Sequence, residues 1–254
     1  MKRYALLVAY DGTGYGGWQI QKNAVTVQEK LEAAVGSLTG KKTAVVASGR
    51  TDSGVHAAGQ VCSFDGEITI PPEKVADALN IILPCDISVI KSVEVPFDFD
   101  VNRSAKKKTY RYSLYFASRR NPLKDRYSVH IKGAPDIAKL RHIARLFEGE
   151  HDFKAYCKSG SDVKTTVRRI YSVRVECSEA EAGTEVGIFV TGGGFLYNMV
   201  RTMVGTMLYF SAGSLTEEDV RRSIETGDRT AVGKTMPANG LTLLNVEYGR
   251  EIFL

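Results

Sequence analysis

The residues with the strongest potential for chemistry lie in one short loop, residues 49–57, here called the Asp52 loop, which reads G-R-T-D-S-G-V-H-A. Asp52 lies between Arg50 and small turn residues, an arrangement that can present its carboxylate to a substrate. Taken alone, Asp-Ser-Gly is typical of a turn in which the aspartate side chain bonds the backbone. His56 is a second candidate base, but its apolar neighbours favour a packed, structural histidine. The loop by itself leaves catalysis and turn structure open.

Arg201 favours the catalytic interpretation of this loop. It lies within residues 195–210, whose apolar residues cover most of the circumference of a predicted helix, and such a helix is buried. Leaving one member of a buried ion pair without its partner costs about 3–5 kcal/mol. A loop aspartate from the other half of the chain, such as Asp52, would supply that partner. The alternative is that Arg201 extends to the surface and is solvated there.

A strongly basic segment, residues 102–132, stands out in a chain whose net charge is only +5. It contains ten lysines and arginines, four tyrosines and a single acid, Asp125. This pattern is typical of a surface that binds RNA phosphates and stacks bases, although lysines that protect a strand edge give the same pattern. Tyr110 lies where the basic residues meet apolar ones, which suits either a core tyrosine or one that stacks on a base. The residues assigned to the RNA backbone are Lys106, Lys107, Lys108, Arg119 and Arg120.

Other kinds of site are not supported by the motifs. Gly12-x-Gly14-x-x-Gly17 satisfies the dinucleotide pattern, but the next predicted helix begins only at Thr26, whereas a dinucleotide site needs it at the third glycine. The four cysteines and four histidines are scattered, without metal-ligand spacing. No uncharged apolar stretch approaches the ~18 residues of a membrane span. We therefore expect no cofactor, no metal, no membrane association and a reduced, cytoplasmic location.

Two similar halves are predicted to position these residues. The first half has strand and helix patterns in the order strand 2–10, helix 26–40, strands 42–48 and 60–64, helix 71–82 and strand 86–95. The second has strand 106–116, helix 135–147, a hairpin of 167–177 and 185–191, helices 195–210 and 216–226, and strand 242–248. The predicted fold class is α+β, with two ferredoxin-like (βαββαβ) halves whose antiparallel or mixed sheets pack side by side around a catalytic cleft. The predicted domains are residues 1–104, with the Asp52 loop, and 105–254, with the basic strand and the Arg201 helix.

Five motifs together make the sequence similar to the tRNA pseudouridine synthase A family. They are the Asp52 loop, K-T-Y-R-Y at 108–112, H-D-F at 151–153, F-L-Y-N-M-V-R-T-M-V-G at 195–205 and G-L-T-L at 240–243. They occur in the family's order over nearly the whole chain, and the first and fourth are highly specific. Two positions depart from the usual pattern. Asn102 stands where F-x-A-R-F-S-A has its arginine, and Ser53 replaces an alanine.

The resemblance implies a cofactor-free isomerase that acts as a homodimer on tRNA and converts uridine to pseudouridine at positions 38, 39 and 40 of the anticodon arm. It implies that Asp52 is the catalytic aspartate and that Arg201 is its ion-pair partner. It further implies that Arg50 helps to extrude the target nucleotide, that Tyr110 stacks on the uracil, and that Leu241 lines the uracil pocket. Whether Asp52 acts as a nucleophile or as a base stays open.

Two other functions share some of these features. A non-catalytic RNA-binding or RNA-folding module would also use ferredoxin-like sheets, but binding alone does not favour a carboxylate that faces phosphates. A metal-dependent nuclease would need at least two converging carboxylates, and only Asp52 is presented convincingly. A requirement for divalent ions would distinguish the nuclease from an isomerase.

Overall fold

The computed structural model describes residues 1–158, 163–181 and 183–253. The chain divides into two compact units, Met1–Lys108 together with the chain from Leu243 onward, and Thr109–Thr242. These units differ from the predicted domain ranges chiefly in the last strand, most of which is counted with the first unit. Both units combine helices with mainly antiparallel strands, which confirms the predicted α+β class. Among the described residues, no helix is both long and apolar enough to cross a membrane.

The first unit follows the predicted order βαββαβ. Its elements are β1 (Lys2–Tyr10), α1 (Val27–Thr39), β2 (Val46–Ala47), β3 (His56–Gly66), α2 (Val75–Ile82) and β4 (Ile87–Val95). β1 lies antiparallel between β3 and β4, and the short β2 pairs with β3. This is the element order of the ferredoxin-like fold. The Asp52 loop connects the short β2 to β3, so both of its ends are held in the sheet.

Local sequence explains where these elements begin and end. Helix α1 starts after Thr26, whose side chain accepts a hydrogen bond from the backbone amide of Glu29, and it ends at Gly40 in the left-handed conformation (φ 72°). The strand predicted over 42–48 is shorter than expected. The Val45 amide donates to the carboxylate of Glu32 in α1 (3.1 Å) rather than to a neighbouring strand. Only the last part of that segment therefore joins the sheet.

The second unit holds most of the predicted second half. Its elements are β5 (Ala105–Ala117, in this unit from Thr109 onward), β6 (Val129–Lys132), α3 (Ile137–Ala144), β7 (Gly149–Asp152), β8 (Val167–Ala180), β9 (Gly183–Gly192), α4 (Met199–Ser211) and α5 (Glu217–Thr226). Strand β9 lies between β5 and β8, and β8 and β9 form the predicted antiparallel hairpin. Helix α3 contacts both α4 and β8. The last strand is β10 (Leu241–Tyr248), and its residues from Leu243 belong to the first unit.

In the second unit, one predicted helix start is confirmed and another lies several residues later than predicted. The helix predicted from residue 216 is confirmed, because Thr216 and Asp219 form a reciprocal capping box. The helix predicted over 195–210 is corrected at its start. It begins at Met199, because Asn198 adopts a left-handed φ of 66°, a conformation that a right-handed helix does not contain. The residues before Asn198 therefore form an irregular approach to α4.

Candidate active site

The Asp52 loop is a tight turn that leaves its aspartate partly accessible. Asp52 is half-buried and Arg50 is exposed. The backbone amide of Val55 donates to the carbonyl of Asp52 (3.1 Å), and Gly54 takes a left-handed φ of 78° that suits the turn. The turn expected from Asp-Ser-Gly is therefore present. It also presents a carboxylate, so turn structure and catalysis do not exclude each other.

The glycine-rich segment after β1 packs against this loop. The backbone amide of Trp18 donates to the carbonyl of Thr51 (3.1 Å), and the Tyr10 hydroxyl is 2.8 Å from the Thr51 hydroxyl. A Cβ on Gly17, which has a φ of 93°, would lie 2.6 Å from the Thr51 carbonyl oxygen and 3.0 Å from the carbonyl carbon of Asp52. Only glycine permits so close an approach. The segment that imitates a dinucleotide motif thus supports the Asp52 loop.

Gln60 holds the start of the Asp52 loop from within the sheet. It is fully buried on β3. Its Nε2 donates to the carbonyl of Gly49 (2.9 Å), and its Oε1 accepts from the Ser48 hydroxyl (2.8 Å) and from the Val61 amide (3.2 Å). A buried side chain that satisfies three polar groups fixes all of them in place. Sequence reasoning missed Gln60, and its one signal is that it is a polar residue among apolar neighbours in a predicted strand.

The structure separates Lys108 from the other basic residues assigned to RNA. Lys106, Lys107, Arg119 and Arg120 are exposed. The Lys108 ammonium is instead half-buried and donates to the carbonyl of Ser48 at 2.6 Å. Burial lowers the pKa of Lys108 to about 8, because removal from water disfavours the charged form.

His56 is the packed histidine that its neighbours predict. It is 3% exposed. Its Nδ1 accepts a hydrogen bond from the Gly12 amide (3.0 Å) and lies 3.1 Å from a carboxylate oxygen of Asp11. The hydrogen bond from the Gly12 amide ties the chain just after β1 to the start of β3. His56 is therefore a buried structural residue at the end of the Asp52 loop and is not presented as a base.

Tyr110 and Leu241 are buried residues of the second unit. Tyr110, on β5, is 8% exposed and meets Phe195 edge to face, with ring centroids 5.0 Å apart and an interplanar angle of 81°. Leu241, at the start of β10, is 6% exposed. It follows Gly240, on which a Cβ would lie 2.7 Å from the ring of Tyr112. Both side chains are therefore largely removed from solvent, and their assignment to a uracil pocket stays a prediction.

Arg201 is held in the first turn of α4 by hydrogen bonds within its own unit. Its Nε donates to the carbonyl of Met236 (2.7 Å), and one terminal nitrogen donates to the Asn198 side-chain oxygen (2.8 Å). The guanidinium is half-buried. It is therefore fixed in direction rather than extended freely into solvent. The sequence pattern places Asn198 on the same helical face as Arg201 but does not predict their hydrogen bond, because Asn198 is expected inside the helix; the bond to Met236 joins positions 35 residues apart.

The predicted site residues divide between the two units. Arg50 and Asp52 belong to the first, whereas Tyr110, Arg201 and Leu241 belong to the second. In the second unit, one short segment binds Arg201 and also Tyr112, which is not itself a predicted site residue but lies on β5 two residues after Tyr110. Its residue 236 accepts from Arg201, and its residue 237 accepts from the Tyr112 hydroxyl (2.7 Å). The pairing of Asp52 with Arg201 stays a prediction.

Comparisons with known proteins give one consistent family. The sequence profile of the family described as tRNA pseudouridine synthase matches residues 6–102 and 143–249. A tRNA pseudouridine synthase A from Geotalea uraniireducens is 43% identical over 248 residues, covering 98% of this chain and 100% of the relative. The protein of the same description from Caldicellulosiruptor bescii is 41% identical over 252 residues, with the same coverage. Among solved structures, a chain of a Cbf5-Nop10-Gar1 complex aligns at 12% identity, with a TM-score of 0.39. The alignment covers 94% of this chain and 48% of that chain.

Proposed function

Because the chain belongs to the tRNA pseudouridine synthase family and isomerises uridine to pseudouridine in tRNA, we propose that its targets are uridines 38, 39 and 40 of the anticodon arm. We propose further that Asp52 starts the reaction and that the enzyme works as a cytoplasmic homodimer. The observation that carries the assignment of Asp52 is how firmly its loop is held. Gly17, Gln60 and Lys108 each contact the loop or its start from a different segment. A reactive group must be held close to its productive geometry, and this loop is built for that.

The reaction exchanges one bond for another without a redox change. The bond between the ribose C1′ and the uracil N1 breaks, the uracil rotates, and a bond forms between C1′ and C5. The C5 proton is then lost, and N1 ends with a proton. Asp52 begins this sequence either by attacking C1′ as a nucleophile or by removing the neighbouring C2′ proton as a base. Both routes need the carboxylate ionised.

Arg201 is the proposed counter-ion that keeps Asp52 ionised. A close opposite charge lowers the pKa of a carboxyl group by ~1–3 units. The guanidinium is suited to this because two hydrogen bonds already fix its direction. Those bonds lower the entropy lost when the pair forms, since the arginine does not need to be ordered first. Arg201 thus acts on the charge state and the aim of Asp52.

The remaining residues are assigned to the target nucleotide. A base in a helical stem must leave its stack, which costs a few kcal/mol, before an enzyme can act on it. Arg50 is exposed beside Asp52 in sequence and can occupy the space that the base leaves. Tyr110 stacks on the extruded uracil and Leu241 lines its pocket, both from buried positions in the second unit. Stacking of this kind contributes about 1–3 kcal/mol per base.

The exposed basic residues are assigned to the tRNA backbone. Lys106, Lys107, Arg119 and Arg120 are all exposed. Each phosphate that they neutralise releases bound counterions, so affinity falls as salt rises. Arg120 also forms an ion pair with Asp125, which in turn accepts from the Tyr115 hydroxyl (2.6 Å). These contacts order the segment from Tyr115 to Asp125 before tRNA binds.

A labelled transcript tests the proposed targets. We would measure tritium release from tRNA transcripts labelled at uridine C5, with chelator present, in a series that keeps one uridine at 38, 39 or 40 or replaces all three by cytidine. The proposal predicts release from each single-uridine transcript and none from the transcript without them. Release from that last transcript at an equal rate would contradict the proposed positions. Loss of all release on adding chelator would favour metal-dependent chemistry instead.

A further inference from the structure

We propose that Lys108 and Asn102 are positioning residues that fix the start of the Asp52 loop, and that Lys108 is not a contact to tRNA phosphate. The inference rests on the proposed role of Asp52. Both side chains converge on one atom, the carbonyl oxygen of Ser48. The Lys108 ammonium donates to it at 2.6 Å, and the Asn102 amide nitrogen donates to it at 2.6 Å.

The next residue along the chain shows that the lysine is part of the loop's structure. A Cβ on Gly49 would lie 2.8 Å from the Lys108 ammonium nitrogen. Real Cβ atoms are rarely that close to a neighbour, so a side chain here would displace the ammonium group. Gly49 and Lys108 are therefore matched to each other: the glycine leaves the space, and the ammonium fills it and binds the adjacent carbonyl.

Hydrogen bonds reach the start of the loop from two sides. Gln60 donates to the carbonyl of Gly49 (2.9 Å) and accepts from the Ser48 hydroxyl (2.8 Å). Lys108 and Asn102 bind the Ser48 carbonyl. Two successive peptide carbonyls are thus fixed by three side chains. Asp52 follows only three residues after this anchor, so a shift of the anchor moves the carboxylate.

The backbone around Asn102 prepares its side chain for this contact. The carboxylate of Asp100 accepts from the backbone amides of Asn102 (2.9 Å) and Arg103 (2.9 Å). This arrangement holds the chain in a turn. The Asn102 amide can then reach Ser48 with little loss of side-chain entropy. Asparagine at this position supports the Asp52 loop rather than the RNA backbone.

Charge and burial agree with an inward role for Lys108. Lys106 and Lys107 are exposed, whereas Lys108 is half-buried. Burial limits the access of water to the charge and lowers the pKa of Lys108 to about 8. A hydrogen bond from a charged donor to a carbonyl is stronger than a neutral one. The lysine is therefore placed to anchor the backbone.

Two substitutions separate positioning from tRNA contact. We would measure kcat, KM and the tRNA dissociation constant as a function of salt for Lys108→Met and Asn102→Ala, with Lys74→Met, an exposed surface lysine, as the matched control. Positioning predicts that kcat falls at least about 10-fold for Lys108→Met, which loses a charge-assisted hydrogen bond, and about 2- to 10-fold for Asn102→Ala, which loses a neutral one, while the affinity and its salt slope stay those of wild type. A phosphate contact predicts a salt slope smaller by about 0.7–0.9 with kcat unchanged at saturating tRNA. That second result would overturn the inference.

A double-mutant cycle remains informative if Lys108→Met lowers the amount of folded protein. Gly49→Ala and Lys108→Ala are made singly and together, and folding of each protein is followed by thermal unfolding. The inference predicts that Gly49→Ala lowers kcat in the wild type, because its Cβ displaces the Lys108 ammonium from the Ser48 carbonyl, and lowers it at least about fivefold less beside Lys108→Ala, where there is no ammonium to displace. Additive effects would contradict it.

The same assays include Asp52→Asn, so that failure of this inference is distinguishable from failure of the proposed function. If Asp52→Asn keeps its turnover, the role of Asp52 is wrong. If Asp52→Asn is inactive but both Lys108→Met and Asn102→Ala keep a wild-type kcat, only the positioning inference is wrong. If kcat falls for only one of the two variants, that residue is the positioning residue and the other is not.

Discussion

Replacing Gln60 by leucine tests whether the Asp52 loop depends on its buried anchor. The substitution keeps an apolar body of similar size but removes the donor to the Gly49 carbonyl and the acceptor for the Ser48 hydroxyl and the Val61 amide. Each buried polar group left without a partner costs about 1–3 kcal/mol. Since local relaxation restores some of these bonds, we expect the free energy of unfolding to fall by about 2–4 kcal/mol.

Urea unfolding followed by far-UV circular dichroism gives this change, and steady-state assays give kcat. Gln60→Leu should shift the urea midpoint without changing the slope, and it should lower kcat because Ser48 and Gly49 lose their fixed positions. Ser48→Ala is the matched control. It removes only one of the three hydrogen bonds, so we expect a loss of about 1 kcal/mol. If Gln60→Leu kept a wild-type midpoint and a wild-type kcat, the reasoning about the anchor would be refuted.

Three further predictions follow from close contacts and from burial. Gly17→Ala places a Cβ 2.6 Å from a backbone oxygen of the Asp52 loop, at a residue whose φ is 93°. It should lower kcat, and it should lower the free energy of unfolding by at least about 2 kcal/mol. Gly14→Ala is the control and should change neither quantity, because a Cβ there has no atom within 4 Å. Gly240→Ala places a Cβ 2.7 Å from the Tyr112 ring and should lower the melting temperature, and an unchanged value would contradict the packing described. The pKa of Lys108 is about 8 in the folded protein against 10.5 for the free group, so the folded state releases this proton first and the wild type should gain stability relative to Lys108→Met as pH rises from 8 to 10.5. Urea midpoints of both proteins across that range check this, and a constant difference would be the opposite outcome.

The elements of the fold could largely be predicted from sequence because their signals are local. The limits of β1 and α1, the cap at Thr216 and the β8–β9 hairpin all follow from residues within a few positions of one another. Asp52 lies in the predicted loop for the same reason, whereas His56, which was also expected there, is the first residue of β3, a strand that starts earlier than the predicted residue 60. Hydrophobic periodicity and capping act over a turn or two of chain, which is the range that a single sequence displays.

The contacts that hold the Asp52 loop and Arg201 could not be predicted, because they join positions that are far apart in the sequence. Lys108 is 60 residues from the carbonyl that it binds, and nothing in the run of three lysines distinguishes it from its neighbours. Asn198 was placed inside a helix because its left-handed φ has no local signal beyond the residue type. Gln60 carried a weak signal as a polar residue in an apolar strand. Such contacts become visible only when the tertiary structure brings the segments together.

The most direct test of the account is the turnover of Asp52→Asn, a substitution that removes the charge of the carboxylate and keeps its shape. We would compare tritium release from C5-labelled tRNA by wild type, Asp52→Asn and Ser53→Ala, a control in the same loop, and measure the tRNA affinity of each. The account predicts release by wild type and Ser53→Ala, and none by Asp52→Asn, whose affinity stays within about threefold of wild type. Turnover by Asp52→Asn at more than about one hundredth of the wild-type rate would contradict it, because the loss of an initiating nucleophile or base costs more than that.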